Sequence, residues 1–488
     1  MNSIIQDLFL ITPEVTLLFA ALIVLMIGVY GSNQTKYNTF VLSISIFGIL
    51  ITLIDVLNLD AESISFHGML YSNAFTTYAK ILILLSGMAV VALLHQSIKF
   101  KTFKFEYPVL MMLSMMGMMF LVSSNSLISL FMSLELMSLP LYVLCASDRS
   151  SSISSEAGMK YFVLGALATG LYLFGASLIY GYTGTMDFSE ISNSFASPNT
   201  ESESSSIPIA FLIGLIFIII AIAFKISAVP FHMWTPDVYQ GAPTVVTAFL
   251  SSAPKIAGVA LFCRILIGAF YDLSDQWQQI IIFMAIASMF VGSLGAIMQS
   301  NLKRLLAYSS IGHIGFTLVG LATAELSGLV GVILYMTIYL TMTVAIFGCL
   351  LLLKDKQGMH YEKISDLAGL SQTQPHLALA IAVIMFSMAG IPPLAGFFAK
   401  LYIILPALEQ GMYGLAIATI TASVIAAFYY LKVVKVMYFD NSKLEFSSSF
   451  GYVIPAVIFL GVIFNLIFIV IPTEVIDLVE KAVEVLFT

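Results

Sequence analysis

Apolar runs of about 20 residues recur from one end of the chain to the other, each long enough to cross a hydrocarbon core about 30 Å thick. Fourteen such runs fit into the 488 residues, the first centred near residue 20 and the last near residue 461. In lipid an unpaired backbone group has no water to turn to, so each run must be a helix. That decides the fold class: all-α, a polytopic membrane protein of about 14 transmembrane helices. The 60% apolar content, with only 10% charged residues, excludes an ordinary soluble domain. The longest polar stretch, roughly 182–207, is rich in Ser and acids (SEISNSFASPNTESESSS) and reads as a flexible surface loop. The first residues carry no basic n-region and no small-residue cleavage site, so the first helix is expected to be retained.

The net charge of −7 conceals an asymmetry. Loops are numbered by the helix they follow. The odd-numbered loops and their flanks hold 14 of the 20 Lys and Arg, among them Lys36, Lys104, Arg149, Lys160, Lys303, Arg304, Lys354 and Lys435. The even-numbered loops and the two tails hold Lys481 as their one basic residue, against acids such as Asp187, Glu190, Asp272 and Glu409. Basic residues gather on the cytoplasmic side. Odd loops are therefore expected in the cytoplasm and both termini on the opposite face, which requires an even number of spans.

Motif chemistry is sparse. Cys145, Cys263 and Cys349 lie in or beside apolar runs without a C-x-x-C pair, which argues against a metal centre and a disulfide framework. No dinucleotide fingerprint, Walker loop or H-E-x-x-H helix occurs. The chain is expected to hold no cofactor of its own, to contact the lipid bilayer and to bind no nucleic acid.

Two runs are interrupted in matching ways. Helix 7 breaks near Ala228-Val229-Pro230 and helix 12 near Gly390-Ile391-Pro392-Pro393. Lys225 precedes the first break and Lys400 follows the second. Matched Pro- and Gly-interrupted segments in two halves point to a transport site. The helices are five spans apart, and a tandem five-helix unit must invert across the membrane because five is odd. The expected organisation is flanking helices 1–3 in residues 1–107, a first repeat of helices 4–8 in 108–270, an inverted repeat of helices 9–13 in 271–445, and helix 14 with a tail in 446–488.

Within these runs stand Glu135 (SLFMSLELMSLPLYVL), Lys225, Lys255 (TAFLSSAPKIAGVALF) and Lys400 (AGIPPLAGFFAKLYIIL). A charge at membrane depth costs roughly 3 kcal/mol on insertion scales and usually marks function. Burial disfavours the charged form of either group, and an opposite charge nearby restores it. One carboxylate and three amines are thus the raw material of a proton relay. The bland readings are a structural ion pair for Glu135, a snorkelling lysine for Lys225, and for Lys255 a cation serving the carbonyl freed by Pro254. Histidine suits a relay between lysines. His313, beside Ser309 and Ser310 in mid-helix, and His232, past the first break, are the candidates. Lys160 starts helix 6 and is either the intake of the path or a positive-inside residue. Lys303 and Arg304 read as topological flanks.

The stretch AFKISAVPFHMWTPDVYQGAPTVVTAFLSSAPKIA resembles the signature region of the antiporter-like subunits of respiratory complex I and their relatives in cation/proton antiporters and membrane-bound hydrogenases. LELMSLPLYVL, NLKRLLAYSSIGHIGF and AGIPPLAGFFAKLYIIL support it across the chain. Lys400, where one sister subunit would carry a glutamate, and an end soon after helix 14 narrow the resemblance to one branch. By this resemblance the path runs through Glu135, Lys225, Lys255, His232, His313 and Lys400, with Lys160 at its cytoplasmic start. It implies a proton-translocating subunit of a bacterial inner membrane, with flavin, iron–sulfur clusters and quinone held by other subunits. The neighbours it implies are antiporter-like subunit M and the small subunit K. A cation/proton antiporter subunit and a purely structural membrane subunit are the rival readings.

Overall fold

The structure, a computed structural model, describes residues 7–31, 35–59, 63–99, 103–196, 208–354, 360–441 and 451–487. The first spans are α1 (Thr12–Tyr30), α2 (Thr35–Leu57), α3 (Ala74–Leu93), α4 (Glu106–Ser123), α5 (Leu127–Cys145) and α6 (Ser152–Thr183). Then come α7a (Ile209–Ile226) with its short continuation α7b (Thr235–Gly241), and α8a (Thr244–Leu250) with α8b (Ala253–Arg264). The second half holds α9 (Ser274–Ile297), α10 (Leu302–Ala322), α11 (Leu326–Leu352), α12a (Pro375–Ala389), α12b (Ala395–Glu409), α13 (Tyr413–Phe439) and α14 (Val453–Ile467). Among the described residues twelve helices are long and apolar enough to cross a membrane. The bent pair at the C-terminal end makes a thirteenth. The fourteen drawn from the sequence include α12a and α12b as one broken span, and each of these, at 15 residues, falls short of a span alone.

Local chemistry sets many of the ends. Asn73 and Thr76 form a reciprocal capping box at the start of α3, each side chain bonded to the other's backbone N–H at 2.9 Å. Ser126 and Ser129 do the same for α5. α6 stops at Gly184 in the left-handed conformation that glycine adopts freely.

Both expected breaks are present. α7a ends at Ser227 (φ 67°) and α12a at Gly390 (φ 85°), each left-handed. A third interruption is new: α8 is divided at Ser251–Ser252, just before Pro254. The sequence showed only a proline that removes one hydrogen bond, whereas both serines turn their hydroxyls onto the Ala248 carbonyl and the chain restarts beyond them. The helix then ends in a π turn at Ile265–Ala269.

Three segments differ from their sequence reading. Residues 188–196 of the expected loop form a helix; 197–207 lie outside the described residues. The C-terminal tail folds into α15 (Pro472–Glu484), bent 97° from α14. Pro472 opens it, and its apolar residues fall on one face in the manner of an interfacial helix. Between α2 and α3, β1 (Ser63–Ser65) and β2 (Leu70–Ser72) make an antiparallel hairpin, with Ser63 opposite Ser72. Packing divides the spans: α8, α10 and α11 are enclosed almost completely, while α1, α2, α6, α9 and α13 turn much of their surface outward.

Candidate functional site

Lys225 is in the last turn of α7a and 5% exposed. Its Nζ donates to Ser138 Oγ at 2.7 Å and to Tyr142 Oη at 3.3 Å, both on α5. Glu135 stands one turn before Ser138 and accepts from Thr169 Oγ1 of α6 at 2.7 Å. Glu135 and Lys225 are not within ion-pair distance; two hydroxyls hold the lysine where the carboxylate was expected. α5 nevertheless presents Glu135, Ser138 and Tyr142 at i, i+3 and i+7, one face of one helix.

At the first break Trp234 Nε1 donates to Phe224 O at 3.0 Å, a carbonyl that also accepts from Ser227 N at 3.2 Å. Trp234 also stacks on Tyr161 (centroids 4.5 Å apart), which meets Tyr142 edge-on at 4.8 Å. On its other side Trp234 approaches Tyr239, over whose ring Lys255 Nζ lies at 5.7 Å. An aromatic cluster therefore stands between Lys225 and Lys255.

Lys255 is 1% exposed and donates to Ser310 Oγ, which also accepts from Tyr339 Oη at 2.9 Å. One turn along α10, both ring nitrogens of His313 are engaged. Nδ1 meets Tyr335 Oη at 2.6 Å and Nε2 meets Tyr430 Oη at 2.9 Å, and Tyr430 Oη also bonds Ser309 Oγ. A neutral imidazole carries one donor and one acceptor, so flanking hydroxyls can serve either tautomer.

Lys400, in the second turn of α12b, donates to the Ala389 carbonyl at 2.8 Å and to Ser423 Oγ at 2.9 Å. Its Nζ lies 4.9 Å from the centre of Phe316, the ring that separates it from His313. The carbonyl-satisfying role weighed for Lys255 is thus filled at Lys400 by the second break.

Lys160 lies apart from this row. It is 40% exposed, pairs with Glu156 and Asp237 at 2.7 Å each, and faces a cavity of about 180 Å³. Asp237 also binds Arg304 at 2.6 Å. Lys303 is buried and pairs with Glu362 at 2.9 Å, so neither residue of the Lys303-Arg304 flank is a freely solvated charge. His232 stands in the turn after Lys225, with its buried Nδ1 unbonded and no hydrogen bond to the lysine.

Buried amines and one histidine, each held by hydroxyls, on helices broken at two matched points, make the geometry against which known proteins can be compared. The family model described as NADH:quinone oxidoreductase/Mrp antiporter, transmembrane, matches residues 124–426, which include Glu135, Lys225, Lys255, His313 and Lys400. The chain belongs to this family. It is 46% identical to the NADH-quinone oxidoreductase subunit N of Parvibaculum lavamentivorans, over 97% of this chain and 96% of that one. It is 46% identical to subunit N 1 of Rhizobium meliloti, over 92% of each. Among solved structures it is similar to a chain of respiratory complex I from Thermus thermophilus with bound aureothin. That match has a TM-score of 0.80 and 27% identity, covering 95% of this chain and 98% of the other. These names agree with the complex I reading of the sequence rather than with the antiporter alternative.

Seen as a member of the antiporter-like family, the chain holds groups that sequence reading passed over. The hydroxyls of Ser138, Tyr142 and Ser423 accept from the amines, those of Tyr335 and Tyr430 bond the histidine, and Tyr339 bonds Ser310, yet tyrosine in an apolar run reads as packing. Three buried charges also went unnoticed. Glu14 and Lys80 pair at 2.7 Å, each almost wholly enclosed. Arg264 donates to the Val122 carbonyl at 2.6 Å and to Asn125 Oδ1 at 3.3 Å. Each stands near the end of an apolar run, where a charge looks like a boundary residue.

Proposed function

We propose that this chain is a proton-translocating membrane-arm subunit of an NADH–quinone oxidoreductase, carrying protons through Glu135, Lys225, Lys255, His313 and Lys400. The observation that carries the reading is a pair of neighbouring polar clusters on α10, Lys255–Ser310–Tyr339 and Ser309–Tyr430–His313–Tyr335, enclosed in the most buried helices. The chain supplies no redox chemistry in this scheme; flavin, iron–sulfur clusters and quinone belong to other subunits. Lys160, with its cavity and its Asp237–Arg304 partners, serves as the cytoplasmic intake. His232 joins the path when its turn moves.

The switch is electrostatic. Two unit charges 4 Å apart interact by about 4 kcal/mol at an effective dielectric of 20. Moving the Lys225 ammonium from Ser138 one turn back to Glu135 therefore decides whether the lysine keeps its proton. The hydrogen-bonded position at Ser138 and Tyr142 is the open arrangement; contact with Glu135 is the closed one. The aromatic cluster around Trp234 and the Phe316 ring act as the points at which transfer waits for water.

The matched left-handed ends at Ser227 and Gly390 support two inverted five-helix repeats. The sequence asymmetry supports both termini on the non-cytoplasmic face of a bacterial inner membrane. The exposed apolar face of α5, with Ile128, Met132 and Leu139, suits a neighbouring membrane-arm subunit, for which M and the small subunit K are the candidates.

The test is proton pumping per quinone reduced, in vesicles holding the assembled complex. Lys225→Ala and Glu135→Gln are expected to assemble and to lose coupled pumping, with Glu135→Asp milder. Normal pumping by an assembled Lys225→Ala complex overturns the reading.

A further inference from the structure

The Glu14–Lys80 pair lies outside the path just described, in helices that the repeat leaves as flanking elements. Both residues are nearly inaccessible, 1% and 2% exposed. A buried ion pair is maintained only when the remaining lone pairs and protons find partners. Apart from Lys80, neither carboxylate oxygen of Glu14 has one. The pair faces a small cavity, and two hydroxyls that line it, Ser72 Oγ of β2 and Ser123 Oγ of α4, are buried and equally unpartnered. Water can move over about 10 Å³ of this space. A polar site of that size, with two to four polar groups around it, holds one water molecule.

The surroundings tie this cavity to the functional helices. Tyr71 forms part of the wall, and Arg264, the last residue of α8b, lies with its guanidinium carbon 5.5 Å from the Tyr71 ring. Arg264 grips the Val122 carbonyl, next to Ser123. Lys255 stands at the opposite end of the same short helix. The hairpin covers the cavity from outside: Leu70 bridges to Ser124, and Asn125 N donates to Met69 O at 2.8 Å. Asp7 holds the hairpin through Phe66 N at 3.1 Å. The charged and titratable groups around Glu14 are thus Lys80, Tyr71, Arg264 and, behind the hairpin, Asp7.

We propose that Glu14, Lys80, Ser72 and Ser123 enclose one ordered water and form a second proton-exchanging site, beneath the hairpin at the non-cytoplasmic ends of α1, α3 and α4. The water hands a proton to Glu14 as it receives one from its other side, and the reverse exchange returns it, so no hydroxide is left; Lys80 supplies the opposing charge. This makes the flanking helices part of the exit from the first half. The inference rests on the proton-translocating reading given above.

The experiment uses the intact complex. A map of the wild-type complex at water-resolving quality should show density within hydrogen-bond distance of a Glu14 oxygen, Ser72 Oγ and Ser123 Oγ; a dry cavity overturns the proposal. Glu14→Gln, Lys80→Met and the double variant are compared in vesicles with Lys225→Ala. Glu14→Gln should lower protons pumped per quinone reduced severalfold, and Glu14→Asp should restore much of the loss. The double variant leaves no buried unpaired charge, so it should assemble even where a single variant does not, and it should still fail to pump. Wild-type pumping by the double variant would show a purely structural ion pair and defeat the proposal. If Lys225→Ala also pumps normally, the general proton reading has failed with it. If Lys225→Ala fails while the Glu14 variants pump, only the second site falls.

Discussion

Lys400 donates to the carbonyl that its own span released at the break, a duty separable from the proton transfer proposed for it. Arginine can fill that hydrogen bond but stays charged at any working pH. Lys400→Arg is therefore expected to assemble better than Lys400→Ala and yet to pump no better. Full pumping by the Arg variant would make Lys400 a fixed charge and end the path before α12. A similar separation applies to Tyr430, which touches both His313 and Ser309. Tyr430→Phe keeps the ring and removes the hydroxyl, so proton flux should fall while the melting temperature of the complex changes little. An unchanged flux would take Tyr430 out of the relay. At this scale the sequence exposed the amines and the histidine, because charge in an apolar run is conspicuous. It hid the hydroxyls, because Ser and Tyr are ordinary in membrane helices and gain meaning only from what faces them.

The broken helices were the most legible elements, since Pro and Gly interrupt a helix for steric reasons that hold in any surroundings. The division of α8 escaped notice because two serines, rather than glycine, make it, and their effect depends on hydroxyls turning back onto Ala248. α15 escaped because its apolar residues are spaced for one face rather than for a span. Gly390 carries a sharper expectation. Its φ of 85° disfavours any side chain, and an added Cβ would lie 2.9 Å from Lys400 Cδ. A left-handed residue with a Cβ costs about 1–2 kcal/mol. Gly390→Ala should therefore lower the thermal stability of the subunit and also weaken pumping by displacing the amine. A stable variant with wild-type pumping would show that the break tolerates a side chain.

For the whole molecule, topology is the property that charge counting reads best and that the fold leaves to experiment. Asn193 and Ser150 are both exposed, on an even and an odd loop, and Cys145, Cys263 and Cys349 are buried and free. Cysteines introduced at the two positions should react with an impermeant maleimide from opposite sides of the membrane; reaction from one side alone would break the fourteen-span scheme. Bilayer thickness enters through α6. Its 32 residues span about 48 Å at 1.5 Å per residue, against a hydrocarbon layer of about 30 Å. The surplus has to be taken up by tilt or by protrusion. α6 is also the least enclosed of the spans, so little of this chain opposes its tilt. Lys160 is carried about two turns from its N-terminal end. The tilt that α6 adopts sets how deep that amine sits, so on the proposed intake role bilayer thickness would tune where protons enter.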